Sequence, residues 1–278
     1  MFSGSVNEPV DQSGWLAPDL LNTEHWVPNT VMLPYLNLGP LGLPTGPLVY
    51  LLGLWLSLFA VDRAARRLGL EPEGYYSLAS VALLSGFIGA RLSFVLLHWS
   101  SYDDNLLGVV WPINSGYNAF GGVIIAAAAI FFYGRWRRLP PWPALDALAP
   151  GFLVFLITVA LADFLAGASY GSLTSMPWGI NVFGVRRHAV QLYEALAGVA
   201  ALGAWWAAAS PRFYDTAGRP FLIATAVYAA ARLFVDAYRE NATLVSGFHV
   251  AQVVSLTVLI ATLIVLARRS PVPTSTRD

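Results

Sequence analysis

The sequence contains no cysteine and no lysine. Without cysteine the chain can form no disulfide and has no thiolate nucleophile of its own, so any thiol chemistry must arrive on a substrate. Without lysine it can use neither a Schiff base nor a lysine general base. Charged residues make up only 12% of the chain and balance to a net charge of zero, which gives no indication of a nucleic-acid partner.

Hydrophobic residues make up 56% of the sequence and gather in runs that are too long for the helices of a soluble core. These runs predict an all-α polytopic membrane protein with about seven transmembrane helices. The third run is short unless residues 116–119 extend it. The predicted spans are Leu43–Val61, Tyr75–Trp99, Phe120–Tyr133, Ala144–Ala168, Val190–Ala209, Phe221–Tyr238 and Phe248–Ala267.

The arginines predict the orientation of these helices. Arginine clusters follow the first, third, fifth and seventh predicted helices, and by the positive-inside rule these connections lie in the cytoplasm. The opposite connections, which include Asp103 and Asp104, then lie outside together with the amino terminus. Arg186 and Arg187 break the rule in the outer loop after the fourth helix, and we interpret them as a local anion site rather than as reversed topology. The clusters consist of Arg63, Arg66, Arg67, Arg135, Arg137, Arg138, Arg212, Arg219, Arg268 and Arg269.

This topology divides the chain into three parts. Residues 1–42 are expected to form an extracytoplasmic amino-terminal arm, residues 43–269 the transmembrane domain, and residues 270–278 a cytoplasmic tail. Between the fourth and fifth predicted helices, residues 169–189 are rich in Gly, Pro, Trp and Arg, which predicts a small extracytoplasmic head.

Five charged residues fall inside predicted helices, where a buried charge is costly and usually faces a wet cavity or a bundle interior. Because the helices alternate in direction, all five lie in the outer half of the bilayer. A sixth, Asp146, lies near the cytoplasmic start of the fourth helix, where we expect a cap or an anchor. The five functional candidates are Arg91, Asp163, Glu194, Arg232 and Asp236.

Arg232 and Asp236 are four residues apart on one predicted helix, so they share a face with Tyr228 one turn earlier. The pair can simply neutralise itself. Alternatively, Asp236 can hold the guanidinium group in place while its remaining donors bind a phosphate. Arg91 also has two interpretations, as a phosphate ligand or as a structural tie to backbone carbonyl groups.

Two further features have both a structural and a functional interpretation. Gly121 and Gly122 open the third helix, and they either allow close helix packing or bring backbone N–H groups to an anionic head group. His188 in the outer loop either acts as a general base near neutral pH or caps the following helix at the membrane interface.

Several motifs occur together from Gly89 onward. The most specific is YG-x-x-T-x-x-PWG, which begins at Tyr170 and is followed by RH-x-x-QLYEA from Arg187. Together the motifs resemble the prolipoprotein diacylglyceryl transferase family. The segments that carry the resemblance are GARLSFVLLH (Gly89–His98), FGGV (Phe120–Val123), D-x-x-A-P-G (Asp146–Gly151), FLAGASYGSLTSMPWGI (Phe164–Ile180), RHAVQLYEA (Arg187–Ala195), RLFVDAYR (Arg232–Arg239) and AQVVSL (Ala251–Leu256).

The resemblance implies a seven-helix enzyme of the bacterial cytoplasmic membrane whose active site faces the outer leaflet. It implies transfer of the diacylglyceryl group from phosphatidylglycerol to the lipobox cysteine of preprolipoproteins, with release of glycerol 1-phosphate, by a monomer that needs no metal or cofactor. The implied catalytic residues are His188, Arg232 and Asp236. The implied head-group ligands are Arg91, Gly121, Gly122, Gly171, Arg187, Tyr193, Glu194 and Tyr228.

The chain departs from the family pattern at five positions. One phosphate-binding arginine and one candidate base are lost, and the loss of the arginine would cost about 2–4 kcal/mol of transition-state stabilisation unless it is replaced. Arg186, Arg187 and Arg91 are candidate replacements for the arginine, and His188 is the candidate for the base. The departures are Ala160 for Arg, Asp163 for Asn, Ala168 for an acid, Phe120 for His and Gly46 for Tyr.

Two other functions fit the same residues. One is a diverged transferase of this fold that uses another lipid donor or acceptor, and the other is a non-catalytic lipid-binding membrane protein. A transporter is disfavoured, because the sequence has no evident inverted repeat and the buried charges lie on one side of the membrane.

Overall fold

Helices dominate the part of the chain that a computed structural model describes, which is residues 33–39, 41–102, 107–110, 116–167, 170–182, 184–240, 244–245 and 248–269. Most of the predicted amino-terminal arm, the whole predicted tail, Asp103, Asp104 and Ala168 lie outside the described residues. Each of the seven predicted spans overlaps one long helix. These helices are α1 (Thr45–Arg67), α2 (Pro72–Leu97), α4 (Ala119–Trp136), α5 (Pro141–Ala166), α6 (Val190–Ala208), α7 (Arg219–Val235) and α8 (Val250–Arg269), with a short α3 (Leu107–Val110) before α4.

Six of the seven long helices are long and apolar enough to cross a membrane. The exception is α6, whose first turns carry the polar residues Gln191 and Glu194. Helix α7 is long enough to cross a membrane only together with the 3₁₀ turn at Asp236–Tyr238, as the segment Arg219–Tyr238. The length and composition of its helices therefore make the chain a multi-pass membrane protein.

The ends of the helices follow from local sequence. Pro72 and Pro141 open α2 and α5, where the missing N–H and the fixed φ of proline are tolerated. The third long helix begins at Ala119 rather than at residue 116, because the Asn118 side chain accepts a hydrogen bond from Gly121 N at 2.9 Å and caps its first turn. Gly167 ends α5 with a left-handed φ of 69°.

Small residues set the closest contacts between helices. Gly53 brings α1 against α5, where an added methyl group would overlap Thr158. Gly122 brings α4 against α2, where an added Cβ would lie 2.9 Å from Ala90 Cβ. Helix α5 also packs on α6, and α7 packs on both α6 and α8. The described bundle therefore contains an α5–α8 group and an α2–α4 pair, with α1 in contact with both.

The prediction that Asp146 serves as a cap or an anchor is confirmed, but the helix that it caps is α7 rather than its own α5. Its fully buried carboxylate accepts hydrogen bonds from Gly218 N at 2.5 Å and Phe221 N at 2.9 Å, at the start of α7. The hydroxyl of Tyr214 lies 3.4 Å from the same carboxylate, and burial together with this charge raises the pKa of Tyr214 to about 12. The indole of Trp205 donates to the Asp146 backbone carbonyl at 3.0 Å.

Among the described residues, three antiparallel hairpins precede or connect the helices, and only the middle one falls in the predicted head. There, β3 (Ile180–Val182) pairs with β4 (Val185–Arg187), and Gly184 turns between them with φ of 81°. The other two pairs were not predicted, because each strand is too short to show an alternating pattern. They are β1 (Tyr35–Leu38) with β2 (Leu41–Pro44) and β5 (Leu244–Val245) with β6 (Phe248–His249).

Candidate active site

A cluster of charged residues, of which Asp236 is fully buried and the others are partly buried, lies where α6 begins and α7 ends. Glu194 on α6 forms ion pairs with both Arg232 on α7 and Arg239, which follows the 3₁₀ turn. Arg232 Nη2 lies 2.9 Å from Asp236 Oδ1, as expected for residues four apart on one face. We call Glu194, Arg232, Asp236 and Arg239 the ion cluster.

Charge is balanced within the ion cluster, since two guanidinium groups face two carboxylates. The Asp236 side chain is 1% exposed, and neither of its oxygens has a well-aligned hydrogen bond to any described residue. Arg239 Nε is 3.9 Å from Asp236 Oδ1, which is too far for a hydrogen bond. Asp236 is therefore neutralised by proximity to cations, while its lone pairs keep capacity for another donor.

Asp163 and Tyr50 form a second polar contact beside the ion cluster. The Tyr50 hydroxyl on α1 donates to Asp163 Oδ1 on α5 at 2.9 Å. Asp163 is also close enough to Glu194 and Arg239 to interact with their charges. The direct partner of Asp163 in the structure is therefore a tyrosine of α1.

His188 is enclosed by aromatic rings at the start of α6. Its Nδ1 lies 3.2 Å from the hydroxyl of Tyr193, and its ring centre lies 4.6 Å from that of Tyr238. The backbone N–H of His188 donates to Ser172 O at 3.0 Å. These contacts fix both the position and the orientation of the imidazole.

The head is joined to the end of α7 through backbone contacts. Ser172 N donates to Tyr238 O at 2.7 Å, and Gly171 pairs with Arg239 in an antiparallel bridge. An added methyl group at Gly171 would overlap the backbone of His188, which accounts for the glycine by close packing. The Arg187 side chain donates to Gly171 O at 3.2 Å and forms an ion pair with Glu240.

Arg91 has backbone partners, as in the second of the two interpretations of the sequence. Its Nε donates to Val109 O at 3.0 Å, its Nη1 to Gly116 O at 2.9 Å and its Nη2 to Gly108 O. The rings of Tyr102 and Tyr117 lie 5.2 and 5.9 Å from its guanidinium carbon. Arg91 therefore fastens α3 and the approach to α4 onto α2.

Gly121 and Gly122 lie in the same α2–α4 contact. An added methyl group at Gly121 would overlap Ser93, and its N–H is bound by the Asn118 side chain. The N–H of Gly122 donates to Asn118 O at 3.1 Å. This geometry supports the packing interpretation, because both N–H groups already have acceptors.

The structure thus brings together part of the predicted site. Arg232, Asp236 and Glu194 are in direct contact, and Tyr228 lies one turn before Arg232, within interaction range of it. The adjoining head contains Gly171, Arg187 and His188, and Tyr193 lies in the first turn of α6. Arg91, Gly121 and Gly122 belong to the α2–α4 contact instead. Sequence reasoning missed Arg239, Tyr50, Tyr238 and Glu240.

Arg239 carried a signal that could have revealed it. It lies seven residues, or about two helical turns, after Arg232, within the quoted RLFVDAYR motif. Tyr50 carried none, because a tyrosine in an apolar run is typical of membrane helices.

A cavity of about 520 Å³ lies away from these residues. It is lined by the start of α2 and the end of α4, about 25 Å along the helices from Arg91 and Gly121. None of the predicted site residues lines it. The lining residues are Glu71, Glu73, Gly74, Tyr75, Trp136, Arg137, Arg138 and Leu139.

The fold and the site define a polytopic helical membrane protein with a partly buried, charge-balanced cluster at one end of its bundle, next to a small head. Paired arginines in such surroundings are suited to an anionic amphiphile.

The chain belongs to the prolipoprotein diacylglyceryl transferase family, whose model matches residues 35–268. It is 28% identical over 240 residues to a phosphatidylglycerol–prolipoprotein diacylglyceryl transferase of Thermosynechococcus vestitus, with 82% of this chain and 87% of that protein covered. It is 27% identical over 256 residues to the protein of that name from Corynebacterium efficiens, covering 83% and 79% respectively. With that of Enterococcus faecalis the identity is 25% over 234 residues, covering 79% and 84%. The family places this chain among the transferases of lipoprotein biosynthesis.

Proposed function

We propose that the protein transfers the diacylglyceryl group of phosphatidylglycerol to the lipobox cysteine of preprolipoproteins. A bond forms between the cysteine sulfur and the glycerol carbon of the lipid as the bond from that carbon to the phosphate oxygen breaks. The thiol proton passes to a base, and glycerol 1-phosphate leaves. The observation that carries the proposal is the pair of partly buried arginines, Arg232 and Arg239, held side by side through Glu194.

Arg232 and Arg239 are assigned to the phosphate. Negative charge grows on the phosphate as the carbon–oxygen bond breaks, and fixed guanidinium groups stabilise that charge best where water is excluded. Glu194 and Asp236 hold the two groups in place. Each guanidinium has five N–H donors and the carboxylates occupy only some of them, so others are available to a phosphate oxygen.

His188 is assigned as the base. If Nδ1 donates to the Tyr193 hydroxyl, the lone pair of Nε2 is free to accept the thiol proton. The ring of Tyr238 keeps the imidazole in this orientation. Gly171 lets the head backbone approach His188 closely, and Arg187 fastens the head to Glu240.

Tyr50 is assigned to the role of the tyrosine that the family pattern has at Gly46. It lies one turn further along α1, on the same face, and its hydroxyl binds Asp163. Tyr50, which would replace the tyrosine missing at Gly46, is therefore hydrogen-bonded to Asp163, which stands at another departure from the family pattern. This contact supports a rearranged site. The carbonyl partners of Arg91 and the packing of Gly121 and Gly122 support positioning roles for these residues rather than direct contact with the head group.

The arginine clusters support a location in the bacterial cytoplasmic membrane with the ion cluster towards the outer leaflet. In this orientation residues 1–42 and the head at 169–189 are extracytoplasmic, residues 43–269 hold the helices, and residues 270–278 are cytoplasmic. The protein acts as a monomer and needs no metal or diffusible cofactor.

One observation favours the non-catalytic alternative. Every arginine of the ion cluster and the head contact already has a carboxylate partner, so a phosphate that binds the remaining N–H donors competes with the charge of Glu194 or Glu240 for the same guanidinium group. A protein that only holds a lipid head group tolerates such competition, because it does not have to stabilise a transition state.

A direct assay separates these functions. The purified full chain in nanodiscs containing phosphatidylglycerol is mixed with a lipobox peptide, and mass spectrometry follows the peptide and the released glycerol phosphate. We expect the peptide to gain one diacylglyceryl group. Arg232→Gln should abolish the gain, while Arg66→Gln, which alters an exposed pair on α1, should leave it unchanged.

Three results would contradict the proposal. Lipid binding without release from any phospholipid favours the non-catalytic protein. Release from phosphatidylethanolamine but not from phosphatidylglycerol favours another donor. Equal modification of a peptide whose cysteine is replaced by serine excludes the thiol as acceptor.

A further inference from the structure

The charges around the proposed site are not balanced once Asp163 is included. Glu194 lies within electrostatic reach of both Asp163 and Asp236, so this region has three carboxylates, whereas Arg232 and Arg239 provide two guanidinium groups. With all five ionised, this part of the site carries one excess negative charge. A phosphodiester group would add a second.

An uncompensated charge is costly to bury, so the site needs another cation when an anionic lipid binds. No further arginine pairs with these residues in the described part of the chain. Arg187 is occupied by Glu240, and Arg91 is occupied by backbone carbonyl groups. A proton on a residue of the site can supply the missing positive charge.

His249 is placed to take that proton. It ends β6, directly before α8, and Gln252 in the first turn of α8 donates to Leu233 O of α7 at 3.1 Å. His249 lies close enough to Asp236 for their charges to interact. Its Nδ1 is buried and has no hydrogen-bond partner among the described residues.

The other described histidines differ from His249 in this respect. The Nδ1 of His188 contacts the Tyr193 hydroxyl, and the Nδ1 of His98 contacts Phe94 O. An unpartnered, buried ring nitrogen next to a carboxylate is the more suitable site for an added proton, because protonation creates an ion pair with Asp236.

We propose that His249 takes up a proton when the anionic head group binds and so acts as the third cation of the site. The inference rests on the proposed function for the identity of the ligand. The charged groups at this end of the elements that pack against α8, which begins directly after His249, are Arg232 on α7 and Asp236 in the 3₁₀ turn, and Glu194 and Arg239 are ion-paired with them. Binding of phosphatidylglycerol then becomes stronger as the pH falls, by at most about tenfold per pH unit for one proton.

Proton uptake can be measured directly. The full chain in detergent is titrated calorimetrically with short-chain phosphatidylglycerol at one pH near 7.5, in two buffers that differ in ionisation enthalpy. We expect uptake of a fraction of one proton by the wild type and close to none by His249→Gln. His249→Arg, which supplies a permanent cation, should bind without uptake and with little dependence on pH.

Three further samples identify the group that is protonated. His188→Gln is the matched control and should keep the uptake. Asp163→Asn removes one of the excess negative charges and should reduce the uptake. Zwitterionic short-chain phosphatidylcholine should cause no uptake. Undiminished uptake in His249→Gln, loss of uptake in His188→Gln or unchanged uptake in Asp163→Asn overturns the inference, as does failure of the folded wild type to bind phosphatidylglycerol.

The two proposals fail separately. Proton-linked binding without any transfer to the peptide refutes the enzymatic function but leaves the role of His249 intact. Transfer without proton uptake on binding refutes the role of His249 alone.

Discussion

Arg91 and Arg232 are both enclosed arginines of membrane helices, yet they are accommodated in opposite ways. Arg91 is bound by three backbone carbonyl groups and flanked by two tyrosine rings, so that dipoles surround a charge that has no ionic partner among the described residues. Arg232 is bound by the side chains of Glu194 and Asp236. Carbonyl partners can be released only by moving backbone, whereas carboxylate partners can make way for another anion by a change of rotamer. The first arrangement is suited to holding the chain, and the second to binding a ligand.

The largest effect is expected from removal of the Arg232 charge. Arg232→Met leaves Glu194 and Asp236 with only Arg239, and losing one partner of a buried ion pair costs about 3–5 kcal/mol of unfolding free energy. The measurement is reversible unfolding in mixed micelles. The double variant with Glu194→Gln should recover part of the loss, because it removes the carboxylate left without its partner. A loss no larger than that of the exposed Arg66→Met would show that the pair is not buried.

Arg91→Met tests the other half of the comparison. Three carbonyl groups lose their donor, but they belong to partly exposed residues, so water replaces much of the about 1–3 kcal/mol that a fully buried unsatisfied group costs, and the total loss should be smaller than for Arg232→Met. Hydrogen exchange should increase in residues 107–110 and 116–118 and remain unchanged around Arg232. Peptide modification should fall less than in Arg232→Gln. Abolished modification with unchanged exchange would instead make Arg91 a phosphate ligand.

Gly121→Ala tests the helix contact that Arg91 fastens. The added methyl group overlaps Ser93, and overpacking costs typically about 1–3 kcal/mol. Gly203→Ala on α6 is the matched control, because it has no atom within 4 Å and should stabilise the helix slightly. Equal unfolding of the two variants would show that Gly121 does not pack against Ser93.

The smallest effect is expected from an exposed pair. A hydrogen bond from Arg219 lowers the pKa of Asp215, so the pair stabilises the folded state above the unfolded pKa and this contribution is lost as the pH falls through the folded pKa. Asp215→Asn should therefore lower stability slightly near neutral pH and not at all in strong acid. The difference should also decrease in high salt, unlike that of Arg232→Met. Thermal unfolding as a function of pH and salt measures both.

The helices could be predicted from the sequence because long apolar runs have few alternatives. The meeting of Arg232, Asp236 and Glu194 was predictable for a similar reason, since α6 and α7 run in opposite directions and their charges lie at the same end. The bridging position of Glu194 between two arginines was not, because it depends on how α6 is rotated relative to α7.

Other partners were hidden by distance along the chain. Tyr50 and Asp163 are 113 residues apart, and neither residue identifies the other. Arg91 was placed at a suitable depth, but its carbonyl partners come from a connection without a recognisable pattern. The sequence thus located the charged residues. Whether backbone carbonyl groups or carboxylates surround each arginine depended on the tertiary structure.

The hydrogen bonds from the start of α7 to Asp146 set the rotational phase of that helix. Phe221 N is bound to the Asp146 carboxylate, and Arg232 follows eleven residues later, which is close to three full turns. An insertion before Gly218 would lengthen a loop, but one extra residue between Phe221 and Arg232 would turn the guanidinium by about 100° away from Glu194. Asp146 thus fixes the rotation of α7, and the number of residues between Phe221 and Arg232 is as much a part of the site as the arginine itself.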